Sequence, residues 1–475
     1  MSSNKKEETK EDSKKSNSEV DDTITIENDN VATTIESKNA ILHEKIFKPA
    51  DSYLTELLQN VHIQTLYNIF VVAAFYLLTY TICHDYFTEA KIYLGWRTIV
   101  PGFRGLPYAL GCWFLLHFMA LLVYFGVCLW TKTHTFGVKG AFPLCLNAAF
   151  LTLCITTLFL TFSLCALCTL HYQFRLGCGL ALLMESTRLI MKMHAFVRST
   201  IGRTADPTPT SNAPLNVADL SHYIYFLFAP VLVYRTSYPR NSTPIRWSFV
   251  GARIFEILFC CFYCTFFYEQ FIGPYYRQFG ATPLQWSYVI ESFHGMILPS
   301  TMCLVIFIYM LLYSIQNLFA ELMHFSDRRF YTNWWTATNC REFFIKWNCL
   351  VQDWLYEYVY KDCFNYVYSN RLFCSFTVIT ISAVMHEIII GMSLQLFLPI
   401  NYICFGIISF ILMYIPLRGR IGNLILWLFI LVGMSLQFCL YSMEFFAKVN
   451  CPKSLNSSLV EKLVPHIWTC IQIRN

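Results

Sequence analysis

Residues Leu372–Phe397 read LFCSFTVITISAVMHEIIIGMSLQLF, a nearly unbroken apolar run with His386 close to its centre. Its polar members are Ser375, Thr377, Thr380, Ser382, His386, Glu387, Ser393 and Gln395. The run is long enough to cross a bilayer, which takes ~20 residues. An ionisable group inside such a run is costly and points to function. The competing reading is a histidine hydrogen-bonded inside a helix bundle for packing alone.

The rest of the chain has the same character. Of its 475 residues, 56% are hydrophobic, 17% aromatic and only 14% charged, whereas soluble domains carry ~25% charged residues. The net charge of +5 is spread among loops, with no basic block able to grip a nucleic-acid backbone. Most of the 20 cysteines lie within apolar runs, as Cys260, Cys261 and Cys264 do, where they act as small hydrophobes. Cys451 and Cys470 lie instead in a polar tail and would pair only in an oxidising compartment. The N-terminus is polar for dozens of residues, so no cleavable signal peptide is expected.

Eight clear spans are predicted, at about Leu66–Cys83, Tyr108–Trp130, Leu144–Leu170, Phe249–Phe271, Ile297–Ala320, Leu372–Phe397, Ile400–Leu417 and Leu424–Met443. Leu176–Val197 carries Glu185, Arg188, Lys192 and His194, and reads either as an interfacial helix or as a ninth, polar-faced span. Nine spans place Lys132, Lys139, Arg198, Arg203, Arg235, Arg240, Arg246, the segment Asp327–Arg371, Arg418 and Arg420 on one side, as the positive-inside rule requires. The expected fold is therefore an all-α, polytopic transmembrane helical bundle of about nine spans. Residues 1–50 are expected to form a disordered cytosolic tail, residues 51–445 the transmembrane domain, and residues 446–475 a luminal tail. In that tail Asn456-Ser457-Ser458 can be glycosylated; Asn241-Ser242-Thr243 would be cytosolic. Leu54, Leu57, Leu58 and Val61 suggest a helix along the membrane surface, and the proline-rich Ser199–Asn216 a connector.

Upstream of the His386 run lie Phe330-Tyr331-Thr332-Asn333-Trp334-Trp335, then Lys346-Trp347-Asn348, Gln352-Asp353-Trp354-Leu355-Tyr356 and Tyr360-Lys361-Asp362. These resemble the sterol O-acyltransferase (acyl-CoA:cholesterol acyltransferase) branch of the membrane-bound O-acyltransferase family. Its FYxDWWN motif, Trp-Asn pair and His-Glu dipeptide occur here in that order. The resemblance runs from Leu54-Thr55-Glu56-Leu57 almost to the C-terminus, and includes Ser237-Tyr238-Pro239-Arg240 and Trp468-Thr469-Cys470. It implies the membrane-bound O-acyltransferase fold, a multi-pass location in the endoplasmic reticulum, and transfer of a long-chain acyl group from acyl-CoA to a sterol such as cholesterol. The implied partners are those two substrates, the bilayer and a second copy of the chain. Acyl-CoA is a co-substrate, and no cofactor is expected.

That chemistry must remove a hydroxyl proton, align donor and acceptor, and stabilise an oxyanion. Imidazole is best matched to the first task near neutral pH, which makes His386 the candidate base. Ser382, one turn earlier, can touch the imidazole or the thioester, or bond back to its own helix. Asn348 can polarise a carbonyl or cap a helix; the family resemblance pairs it with the membrane histidine as the catalytic couple. Lys346, Arg371, Tyr331 and Tyr360 are candidates for coenzyme A, joined as substrate-binding candidates by Asn333, Trp334, Trp335 and Trp347. Asn333 and Thr336 depart from the family's Asp and Asn, and Ile345 stands where a basic residue is expected. No HExxH pair, phosphate loop or GxSxG elbow occurs, so no metal site is expected. The alternatives are a diacylglycerol acyltransferase, a transporter using Glu185, His194 and His386, and an inactive acyl-CoA- or sterol-binding relative.

Overall fold

A backbone that crosses hydrocarbon must satisfy its own amides, so long apolar runs fold as helices. The computed structural model describes residues 44–92, 94–135, 141–205, 219–281, 285–452 and 464–472. Residues 1–43, Pro207, Pro209 and Pro214 of the connector, and Asn456-Ser457-Ser458 lie outside the described residues. In chain order the helices are α1 Tyr53–Leu57, α2 Val61–Glu89, α3 Trp96–Gly102, α4 Leu106–Thr135, α5 Ala141–His171, α6 Leu176–Ala205, α7 Leu220–Phe228 and α8 Trp247–Phe267. There follow α9 Gly273–Tyr276, α10 Trp286–Ile308, α11 Gln316–Leu322, α12 Cys340–Trp347, α13 Cys349–Trp354, α14 Arg371–Leu394, α15 Ser409–Leu412, α16 Gly419–Asn450 and α17 His466–Gln472. Among the described residues the only β-pairing is two isolated bridges, Ala50 with Asp327 and Arg240 with Phe325.

Seven helical stretches are long and apolar enough to cross a membrane: Val61–Thr88, Leu106–Thr133, Cys145–His171, Trp247–Tyr276, Trp286–Leu322, Arg371–Leu394 and Gly419–Asn450. The expected count of about nine adds two elements that differ from these seven. The first is the shorter apolar helix Tyr402–Leu412, whose length of about 16 Å covers only half a hydrocarbon core. The second is α6, 30 residues long, whose charges are neutralised inside the protein. Glu185 grips Arg188 through two bonds of 2.7 Å. Lys192 donates to the carbonyls of Phe226, Leu227 and Ala229 at 2.5, 3.0 and 2.7 Å. Those carbonyls form the electronegative C-terminus of α7, where a cation is favoured. Lys192 and Arg188 of α6 thus pin α7.

Three further features bear on the sequence reading. The helix foreseen over Leu54–Val61 ends at Leu57, because Asn60 caps α2 by accepting the His62 amide at 2.9 Å. Residues 45–50, assigned to the tail on composition, belong to the compact unit that runs from Lys45. In the C-terminal tail the sulfurs of Cys451 and Cys470 are not joined. The Cys470 thiol points to the main-chain oxygens of Ala447 (3.7 Å) and Cys451 (3.9 Å), so the two residues are neighbours with the sulfurs turned apart.

The largest core cluster joins α4, α5, α6 and α7 to the segment around Phe325–Tyr331. A second surrounds α8, α10, α16 and α17. A third, of Ala337, Cys340, Phe343 and Leu426, seats the tryptophan-rich loop on α16. Gly422 makes that seat possible, since a Cβ there would collide with the Thr338 carbonyl oxygen. Asn423 completes it by donating to Trp335 and Ala337 carbonyls at 3.0 and 2.8 Å.

Candidate active site

α14 starts where the Asn370 side chain accepts the amides of Leu372 (2.9 Å) and Phe373 (3.2 Å), a conventional N-cap. From that start His386 falls in the fourth to fifth turn, within a helix that packs against α6 and the segments Leu355–Tyr360 and Tyr402–Ile408. The imidazole keeps an exposed surface on this helix. Its Nδ1 lies 2.7 Å from the Ser382 carbonyl oxygen. A carbonyl only accepts, so Nδ1 carries the proton and Nε2 carries the lone pair. Ser382 thus acts on the ring through its main chain.

Phe405 packs against the ring at 5.3 Å, and Phe344 of α12 packs on Phe405 at 5.1 Å. Gly406 allows this approach: a Cβ there would lie 3.1 Å from the Ala383 methyl. Glu387, the next residue, turns away from the imidazole. Its carboxylate accepts the Tyr402 amide and the Tyr441 hydroxyl, each at 2.9 Å. The same helix therefore holds His386 on one face and grips the Phe405 segment with another.

Asn348 ends α12 and begins α13. Its Oδ1 accepts the Val351 amide at 3.2 Å, so the helix-capping reading is realised. The cap occupies the oxygen alone, leaving the side-chain amide hydrogens to donate elsewhere. No bond joins Asn348 to His386 among the described residues; the Phe344–Phe405–His386 ring series connects their elements.

The other candidates divide by surroundings. Trp334 is a packing hub, with ring centroids 5.1 Å from Trp347, 5.6 Å from Trp335 and 5.9 Å from both Phe343 and Trp427. Trp335 meets Tyr53 at 5.6 Å. Tyr331 is buried. Lys346 is paired with Glu342 at 2.6 Å; burial raises the Glu342 carboxyl, but the bonds from Lys346 and Thr338 outweigh it and hold it below the usual range. Tyr360 stacks between Tyr356 (5.6 Å) and Phe364 (6.3 Å). Burial raises its hydroxyl, while nearby Arg371 and Arg341 pull it back. Arg371 is exposed at the start of α14. Asn333 makes no cap with its side chain, and Thr336 donates to the Asn333 carbonyl at 2.8 Å, closing the turn. The substitutions at these two positions thus leave an ordered turn.

The His194 ring packs against Trp354 (5.4 Å) and Tyr358 (5.7 Å). Phe405, Phe344 and Tyr441 were not foreseen. Only Glu387 left a signal in the sequence, as a carboxylate within an apolar run.

Residues 152–443 match the model of the membrane-bound O-acyltransferase family, MBOAT. The chain is 31% identical to sterol O-acyltransferase 1 of Mus musculus over 438 residues, covering 90% of this chain and 79% of that protein. It is 28% identical to sterol O-acyltransferase 2 of Homo sapiens over 432 residues, covering 90% and 80%.

Proposed function

Because the chain belongs to the membrane-bound O-acyltransferase family and is a multi-pass acyltransferase, we propose that it transfers a long-chain acyl group from acyl-CoA to the 3-hydroxyl of a sterol. The observation that carries this reading is the Nδ1 bond to Ser382, which leaves Nε2 of the imidazole as a base. Nε2 takes the hydroxyl proton as the sterol oxygen attacks the thioester carbonyl. The side-chain amide of Asn348 donates to the developing oxyanion. Collapse breaks the C–S bond, and the coenzyme A thiolate leaves with the proton returned by His386.

Arg371 and Tyr360, grouped at the start of α14, suit the polar end of acyl-CoA. Lys346 is already engaged by Glu342. The relatives' names support the sterol as acceptor; an endoplasmic-reticulum location, a luminal tail of residues 446–475 and assembly with a second copy complete the proposal. Pairing of Cys451 with Cys470 under luminal oxidation belongs to the same reading.

The test is an assay of recombinant chain in microsomes with labelled oleoyl-CoA, offering cholesterol and diacylglycerol in parallel. Cholesteryl ester is expected. Ester formed from the glyceride alone makes the chain a diacylglycerol acyltransferase, and none from either alcohol makes it an inactive relative.

A further inference from the structure

The segment before α2 packs on the tryptophan-rich loop, and its bonds run along the backbone. The Ala50 amide donates to the Ser326 carbonyl at 2.9 Å, and the Arg328 amide returns a bond to the Ala50 carbonyl at 2.8 Å. The Lys48 amide donates to the Asp327 carboxylate at 3.1 Å. On its other side the same loop meets the Trp-Asn turn: the Cys349 amide donates to Phe330 and the Thr332 amide to Lys346, both at 2.9 Å. Residues 326–332 are therefore a middle layer, bonded to residues 48–50 on one edge and to residues 346–349 on the other.

Side chains fasten the outer layer at both ends. Lys45 pairs with Asp353 of α13 at 2.8 Å. Arg329 bonds both oxygens of Glu56 at 2.6 and 2.7 Å and lies over the Tyr53 ring at 5.5 Å. Phe47 packs edge-on against Tyr238 at 5.4 Å and Phe325 at 6.1 Å. These contacts exceed what an anchor on the membrane surface would need, and they converge on the segment carrying Asn348.

We propose that residues 45–57 are a positioning arm of the active site, which fixes the register of the Trp347-Asn348 turn through the middle layer. The proposal rests on the reading of Asn348 as an oxyanion donor. The arm touches no reacting atom; it sets where the Asn348 amide points. Loosening it should lower kcat and leave KM for the alcohol unchanged.

Cys349 supplies a readout independent of activity. Burial, then Asp353, raise its thiol to about 11, with Lys45 opposing, so it alkylates slowly while the turn is packed. Glu56→Gln and Arg329→Gln, with the charge exchange Glu56→Arg plus Arg329→Glu, would be examined in microsomes by peptide mapping after N-ethylmaleimide. A deletion of residues 1–43 serves as a second variant that keeps the arm. Each single variant should raise Cys349 alkylation and lower kcat about two- to fivefold, the range that a half-exposed ion pair supports. The exchange should restore both by at least half, and the deletion should alter neither. Unchanged alkylation and kcat in the single variants would overturn the proposal. So would losses that follow only the amount of folded protein and are not rescued by the exchange. If the wild-type chain makes no ester, the proposed function fails, and alkylation alone decides whether the arm holds the turn.

Discussion

The Tyr441 hydroxyl of α16 donates to the Glu387 carboxylate of α14 at 2.9 Å, next in sequence to the candidate base. Glu387 also holds the Tyr402 amide, three residues before the ring that packs on His386. Tyr441→Phe should therefore weaken positioning without removing chemistry; it loses this bond and the 3.2 Å bond the hydroxyl accepts from the Asn401 amide, at about 1 kcal/mol each. Glu387→Ala frees the Tyr402 amide and the Tyr441 hydroxyl and should cost at least as much, with Glu387→Gln costing less. Saturating rates read beside thermal melting in detergent check the order, which a mere packing role would show in melting alone.

His386→Ala should abolish ester formation while the protein still inserts and assembles. Loss of a general base typically costs ~10²–10⁴-fold. More than about a tenth of the activity remaining at equal expression would remove His386 from that role.

Asn348 offers a separation of cap from catalyst. Asn348→Asp keeps an oxygen for the Val351 amide but loses the donor, whereas Asn348→Ala loses both. Activity should fall alike in the two variants, while only alanine should lower stability, by ~1 kcal/mol for a lost cap. An active Asn348→Asp enzyme would assign the residue to structure.

Asn333→Asp should be tolerated, because the Asn333 side chain supports no cap and the turn is closed by Thr336. A modest change in KM for acyl-CoA is expected. Loss of folded protein would show that the site has been rebuilt to exclude a carboxylate.

The Cys451–Cys470 neighbourhood tests topology. In sealed microsomes a membrane-impermeant thiol reagent should label neither residue from the cytosolic side, before or after reduction. Labelling of either from outside would put residues 446–475 in the cytosol.

Much of this architecture is legible locally. Apolar runs mark the seven long helices, and a histidine within one of them needs no neighbour to attract notice. The Trp347-Asn348 pair stands out in the same way. What stayed hidden depends on partners far apart in the chain. Nothing about Phe405 marks it as the ring against His386, and the neutralisation of Lys192 depends on carbonyls 34 to 37 residues away. The Lys346–Glu342 pair, by contrast, is local, and its i,i+4 spacing on α12 was there to be read. The arm was least legible, since its composition matches the polar tail before it and only its partners distinguish it.

The arm also gives the protein a history. Lys48 and its partner Asp327 are separated by 279 positions. At ~5–20 residues per second of synthesis, an emerging arm waits roughly 15–55 s before its partner has been made. During that interval several helices must enter the bilayer while the arm's bonding groups are held by water or by other proteins. Catalytic competence then arrives late in biogenesis, and a chain released early can be inserted in the membrane without ever having been an enzyme.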